Sequence, residues 1–239
     1  MDRFEELERR LTLRCPALEL RRDEPMSRHT SFHVGGPVRL MALPKTAGEA
    51  RLALQAAGEL ELDPFFLGNG TNLLVPDAGA ERLLIKPAGR YSVGDLNRVW
   101  EANGLLCAGA AVSLANLAGS ALGRNLTGLE FAQGIPGSVG GGVTMNAGAY
   151  GGELAQVLDS VTALDKTGQE HILSAGQCGL GYRRSIFSGG DYLILSARFR
   201  LAPGDPAAIE ARMKELAAKR QEKQPLEYPS AGSTFKRPE

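Results

Sequence analysis

The chain has 239 residues, with 27 Lys+Arg against 27 Asp+Glu, 43% hydrophobic residues, 23% charged and only 6% aromatic. This ordinary globular composition excludes a disordered chain, and the absence of a basic excess argues against nucleic acid as a partner. At roughly 100–200 residues per domain, one or two domains are expected. Cys15, Cys107 and Cys178 are odd in number, far apart and in no CxxC pair, which argues for a reducing compartment rather than a disulfide framework. The N-terminus is a charged amphipathic segment without the apolar core of a signal peptide. The uncharged stretch from Leu105 to Gly123 is broken by Gly109, Gly119 and Gly123, follows Gly104, and reads as a buried soluble segment rather than a membrane span. A cytoplasmic protein with no membrane partner is therefore expected.

Phe4 to Leu11 reads as a surface helix, Thr30 to Val34 as strand-like, and Val38 to Leu43 as a short buried strand. Thr46 and Glu49 have the spacing of a capping box and open a helix running to about Ala57. Phe65 to Leu67, Leu73 to Val75 and Leu83 to Lys86 read as short strands, and Ser113 caps a helix to Leu122. Val157 to Lys166 and Glu170 to Leu173 flank a Thr167-Gly168 turn and predict a hairpin. Tyr192 to Leu201 is the cleanest strand, with Leu193, Leu195, Ala197, Phe199 and Leu201 expected on one face. Beyond Pro203-Gly204 the texture changes. Pro206 to Gln221 reads as a charged helix with Ile209, Met213 and Leu216 on one side, and a domain boundary is expected near Gly204.

Glycine is the compositional anomaly, at 30 residues. It concentrates where charge is absent: between Ala102 and Gly152 the only charged residues are Arg124 and Glu130. Glycine costs conformational entropy, so clusters are justified where the backbone needs positive φ or must approach another group closely. Gly68-Asn-Gly-Thr-Asn72 follows a strand, and residues 134–141 form a second such loop. Successive backbone N–H groups in loops of this kind form anion nests suited to a pyrophosphate. Neither loop is G-x-G-x-x-G and neither carries a P-loop Lys-Ser/Thr, so Rossmann and P-loop readings fail. His29 and His33 have metal-pair spacing on a helix. In the extended segment expected there they would lie about 13 Å apart at ~3.3 Å per residue, and no metal site is assigned.

Five segments in order carry a resemblance: Gly68-Asn-Gly-Thr-Asn-Leu-Leu-Val75, residues 128–141, Met145-Asn-Ala-Gly-Ala-Tyr-Gly151, Tyr182-Arg-Arg-Ser-Ile-Phe187 and Ala231-Gly-Ser-Thr-Phe-Lys236. The set resembles the UDP-N-acetylenolpyruvoylglucosamine reductases, the MurB flavoenzymes of peptidoglycan synthesis, from about Arg28 to the last residue. The short link from Phe187 to Tyr192 is similar to the subtype lacking an extra tyrosine-bearing loop. The resemblance implies an α+β chain. Residues 1–203 would form a two-part FAD-binding domain of the vanillyl-alcohol-oxidase (PCMH) type, with an N-terminal helix over 1–12 and two subdomains split near 88–104. Residues 204–239 would be the start of an α/β substrate domain, incomplete here.

It further implies FAD and NADPH as cofactors and a UDP-linked enolpyruvyl sugar as substrate, reduced to UDP-N-acetylmuramate, with no obligate protein partner inferred. Gly68, Asn69, Gly70, Thr71, Asn72 and Leu73, with Gly134, Ile135, Pro136, Gly137, Ser138, Gly140 and Gly141, would hold FAD. Arg183 would stabilise charge developing toward the enolpyruvyl carboxylate, a task suited to a fixed guanidinium. Ser233 would donate the proton to the adjacent carbon, and Asn146, Tyr150, Lys223 and Lys236 would lie at the substrate. The family also uses a glutamate near its C-terminus, and Glu239 does not lie in that motif. The polypeptide is therefore expected to be an incomplete member. Two other readings are a flavin-binding module without turnover and another oxidase of the same flavin fold, which would have no need of Arg183 with Ser233.

Overall fold

The computed structural model describes residues 2–88, 94–224 and 228–229. The first lobe opens with helix α1 (Arg3–Arg14), capped by Asp2, whose carboxylate accepts from the N–H groups of Phe4 and Glu5 while Glu5 reaches back to the Asp2 N–H. Strands β1 (Glu19–Pro25), β2 (Pro37–Leu43), β3 (Pro64–Phe66) and β4 (Ala80–Ile85) form a sheet in the order β1-β2-β4-β3, parallel except for β1. Helix α2 (Ala47–Gly58) crosses between β2 and β3. Thr46 Oγ1 caps it by accepting from the Glu49 N–H, while the Glu49 carboxylate reaches the Lys45 N–H. Leu7, Leu11, Ala50, Ala53 and Leu54 of the two helices bury against Leu40, Ala42, Leu83 and Ile85 of the sheet.

The second lobe is built on an antiparallel sheet of β5 (Val99–Ala102), β6 (Leu105–Gly109), β10 (Leu158–Asp165), β11 (Glu170–Ser174) and β12 (Tyr192–Phe199), ordered β11-β10-β12-β6-β5. Helices α3 (Leu114–Leu122), α4 (Val139–Thr144) and α5 (Pro206–Lys223) contribute to its core. Short pairs complete it: β7 (Leu126–Thr127) with β13 (Ala202–Pro203), and β8 (Gly148–Ala149) with β9 (Gly152–Glu153). Ile209, Met213 and Leu216 of α5 are buried in this same core, so the helix that follows the texture change packs on the second lobe.

The structure corrects four sequence readings. The segment from Thr30 to Val34 is a turn rather than a strand: Thr30 Oγ1 donates to the Val34 carbonyl and His33 has φ +56°. The strand there is β1, missed because an edge strand rich in Arg and Glu shows no apolar alternation. Leu73 to Val75 forms no strand; Leu73 and Val75 pack as loop residues under Met26 and Val38. Residues 99–109 form an unforeseen hairpin, turned by Asn103 and Gly104 at φ +53° and +73°, the geometry that Asn-Gly favours. The fourth correction concerns β12, whose faces do not simply alternate. A bulge places Thr162 opposite Ser196 and Ala163 opposite Ile194. Leu193 and Leu195 therefore enter the first lobe's core, whereas Ile194, Ala197 and Phe199 enter the second's. One strand thus bonds the two lobes together.

Candidate functional site

Between the lobes lies an open cleft of about 1630 Å³. That exceeds the ~300–1,000 Å³ of a pocket for one small molecule, leaving room for a dinucleotide and a second ligand. Its floor is made by the two glycine loops, which pack on each other. A Cβ on Gly68 would fall 2.8 Å from Ser138 Oγ, and one on Gly137 3.9 Å from Thr71 Oγ1. Gly70 has φ +64°, and a Cβ there would lie 1.9 Å from the His29 carbonyl oxygen, so only glycine fits. Ser138, buried at 2% exposure, caps α4 by accepting from the Gly141 N–H. The Val139 and Gly140 amides are taken by the carbonyls of Val112 and Ala110. By contrast, among the described residues the N–H groups of Gly68 through Asn72, and of Gly137 and Ser138, donate to no protein acceptor. These residues line the cleft. Donors without protein partners, on a floor where Gly68 and Gly70 leave no room for a Cβ, fit a pyrophosphate-bearing ligand.

Of the residues expected to hold such a ligand, Gly68, Asn69, Gly70, Thr71, Asn72, Leu73, Ile135, Pro136, Gly137, Ser138, Gly140 and Gly141 all line the cleft. Gly134 does not, and instead abuts Arg220: a Cβ on it would fall 3.1 Å from Arg220 Cδ. Arg183 lines the other wall at the corner of a turn closed by hydrogen bonds in both directions between Gly181 and Arg184, with φ +55°. Such a conformation costs a residue bearing a Cβ on the order of 1–3 kcal/mol and persists only where the surroundings impose it. Tyr150, at φ +53°, occupies the tip of the β8–β9 hairpin. Asn146 also lines the cleft but is 3% exposed, with both amide atoms engaged by the protein. Lys223 lines the cleft from the end of α5. Ser233 and Lys236 lie outside the described residues.

Sequence reading missed Arg220, one turn before Lys223 on α5. The three-residue spacing on one helix face was the available signal. Burial pushes its pKa below the ordinary guanidinium value, opposed by neighbouring Tyr150. Among the described residues, Arg183, Arg184, Arg220 and Lys223 form no salt bridge, whereas Arg82 and Lys166, which also line the cleft, both pair with Asp63. A chain of zero net charge thus puts four cations without salt-bridge partners, among the described residues, into the lining of one cleft. His29 joins no metal site: its Nε2 meets Glu24 Oε1 at 2.9 Å and its Nδ1 accepts from Lys86 Nζ at 3.0 Å. His171 bonds Asp165 at the turn end of the β10–β11 hairpin. No helix among the described residues is long and apolar enough to cross a membrane.

Fold and cleft define a flavoprotein of the two-lobed FAD-binding class. The FAD binding domain family matches residues 38–174, and solved structures of chitooligosaccharide oxidase (TM-score 0.62, 14% identity, 82% of this chain and 43% of that one) and alkyldihydroxyacetonephosphate synthase (0.60, 17%, 83% and 40%) share the fold. Within that class, the chain belongs to the UDP-N-acetylenolpyruvoylglucosamine reductase family. It is 45% identical to the reductase of Clostridium novyi (strain NT) over 92% of this chain and 70% of that protein. With the one from Agathobacter rectalis it shares 44% identity over 96% and 75%. The MurB crystal structure from Thermus caldophilus matches at a TM-score of 0.75 and 32% identity, over 92% of this chain and 75% of that one.

Proposed function

We propose that the chain takes part in reducing a UDP-linked enolpyruvyl N-acetylglucosamine to UDP-N-acetylmuramate for peptidoglycan synthesis, with NADPH as reductant. The observation that carries this reading is the presence, in one cleft, of a glycine floor with unpaired amides and of four cations that have no salt-bridge partner among the described residues. When bound, FAD supplies the redox chemistry between NADPH and the enolpyruvyl double bond. The chain's own residues do the rest. The amides of residues 68–72 and 137–138 hold the cofactor's pyrophosphate. The Arg183 guanidinium faces the substrate carboxylate, where negative charge grows during reduction, and a fixed cation there stabilises that charge. Lys223 and Arg220 meet the substrate's anionic groups, joined by Lys236. Tyr150 closes the wall beside the reacting end. Ser233 donates the proton to the neighbouring carbon; an alcohol can do so because the developing carbanion is far more basic.

Stopped-flow measurement of the two half-reactions tests this. Ser233→Ala is expected to leave flavin reduction by NADPH nearly intact and to slow reoxidation by the enolpyruvyl sugar by orders of magnitude. Equal slowing of both halves would make Ser233 a residue that shapes the pocket. A wild-type chain that takes up flavin and is never reoxidised by the sugar would instead be a binding module without turnover.

A further inference from the structure

Asn146 follows α4 and is almost fully buried, at φ +42°. Asn adopts the left-handed region more readily than most residues, and here its side chain is also bonded at both ends. Its Nδ2 donates to the Gly181 carbonyl at 3.2 Å, and its Oδ1 accepts from the Ala155 N–H at 2.9 Å. Only one orientation of the amide satisfies a carbonyl on one side and an N–H on the other. Gly181 opens the turn that presents Arg183, and Ala155 lies two residues past the β8–β9 hairpin that presents Tyr150. One side chain therefore bridges the bases of the two loops that carry the cleft's Arg and Tyr. Ser185 and Ser188 both donate to the Thr144 carbonyl, which fastens the C-terminal side of the Arg turn to the same end of α4. The N-terminal side has Asn146 as its side-chain tether.

We infer that Asn146 is a positioning residue, not a ligand of substrate: its amide ties the Arg183 turn to the Tyr150 hairpin and so fixes the guanidinium in the cleft. The step from geometry to turnover rests on the reading of Arg183 given under Proposed function; the geometry itself does not. Without the bond to Gly181, the turn is free to relax toward negative φ, and Arg183 swings out of register. An error of about 1 Å in such a group costs on the order of 100-fold in rate.

Asn146→Asp isolates the tether. It keeps an oxygen for the Ala155 N–H and replaces the donor to Gly181 with a second oxygen. Hydrogen exchange on the full-length chain, corrected for intrinsic rates, is expected to show the Gly181 and Arg184 amides exchanging about tenfold faster or more, the scale of one lost hydrogen bond. The Ala155 amide and those of β10 and β12 serve as controls and are expected to hold. Asn146→Ala releases Ala155 as well. Burial beside the Gly181 carbonyl raises the introduced carboxyl above its ordinary value of about 3.9, so lowering the pH from about 8 to about 4 protonates it and restores a donor; exchange at Gly181 and Arg184 is expected to return toward wild type in Asn146→Asp and not in Asn146→Ala. Sugar-dependent flavin reoxidation by Asn146→Asp is expected to recover over the same pH range, with NADPH-dependent reduction unaffected. Wild-type exchange at Gly181 and Arg184 in Asn146→Asp, or no recovery at low pH, overturns the tether. If the exchange changes appear while the wild-type chain itself shows no sugar-dependent reoxidation, the tether stands and the reading of the reaction falls.

Discussion

Gly68 and Gly141 lie back to back in the floor of the cleft: a Cβ on Gly68 would sit 3.5 Å from the Gly141 Cα and 2.8 Å from Ser138 Oγ. That hydroxyl is the cap of α4, so the first glycine loop leans on the device that starts the second. Gly68→Ala is expected to displace the cap, costing about 1 kcal/mol of stability, the usual loss for a Ser cap, and to weaken FAD binding about tenfold. In Gly68→Ala/Ser138→Ala the hydroxyl is already gone, so the two costs should fall short of additive. Urea midpoints and FAD titrations of the four proteins close the cycle; strict additivity would mean that the loops are independent.

The sequence made the glycine loops legible because their chemistry is local: a run without charge, rich in Gly and Asn, after a strand. Thr46, Ser113 and the Thr167-Gly168 turn were equally readable, since caps and turns depend on near neighbours. What escaped was set by tertiary context. The charged strand β1 exists because β2 offers it a partner. The bulge that divides β12 between two cores comes from its pairing with β10, and nothing in the alternating run from Tyr192 to Leu201 announces it. Asn146 was readable as a site residue through its motif, but its bonds to Gly181 and Ala155 belong to the folded chain alone.

Arg183 holds a conformation that glycine would adopt without strain. Arg183→Gly is expected to be as stable as wild type or more stable, by up to about 1 kcal/mol, while sugar-dependent reoxidation falls at least about 100-fold. Thermal melts paired with stopped-flow traces check both halves. A variant that loses stability would show that the guanidinium supports the fold.

The Glu24–His29–Lys86 chain makes stability depend on acid. Burial pushes the His29 pKa below its ordinary value, and the hydrogen bond to Glu24 opposes this only in part. Protonating Nδ1 would also set a proton against the Lys86 ammonium. Burial would raise the Glu24 carboxyl, but hydrogen bonds from His29 and Arg21 outweigh it and hold the group low. With its folded pKa depressed, His29 takes up a proton more readily in the unfolded chain. Stability is therefore intact above about pH 6.5 and falls as the pH drops from there toward the folded value. Because the His29 carbonyl abuts Gly70, the first glycine loop should loosen with it. His29→Gln is expected to flatten this part of the profile. Urea midpoints between about pH 7.5 and about pH 5 decide it, and parallel slopes for the two proteins would remove His29 from the account.

Arg220 has no carboxylate partner among the described residues and is half-buried. Arg220→Ala is expected to leave ligand-free stability within about 0.5 kcal/mol. The melting-temperature rise given by a UDP-sugar is expected to shrink, and so is its sensitivity to salt. Melts with and without UDP-N-acetylglucosamine at two ionic strengths measure this. An unchanged ligand response would place the anion elsewhere along the cleft.

The glycine floor is expected to hold FAD without a covalent bond. Titrating the flavin-free chain with FAD, following flavin absorbance, and then denaturing and filtering the complex checks this. Saturation at one FAD per chain, with all of the flavin passing into the filtrate, is the expected result. No uptake at any concentration, or flavin retained on the denatured chain, would contradict it.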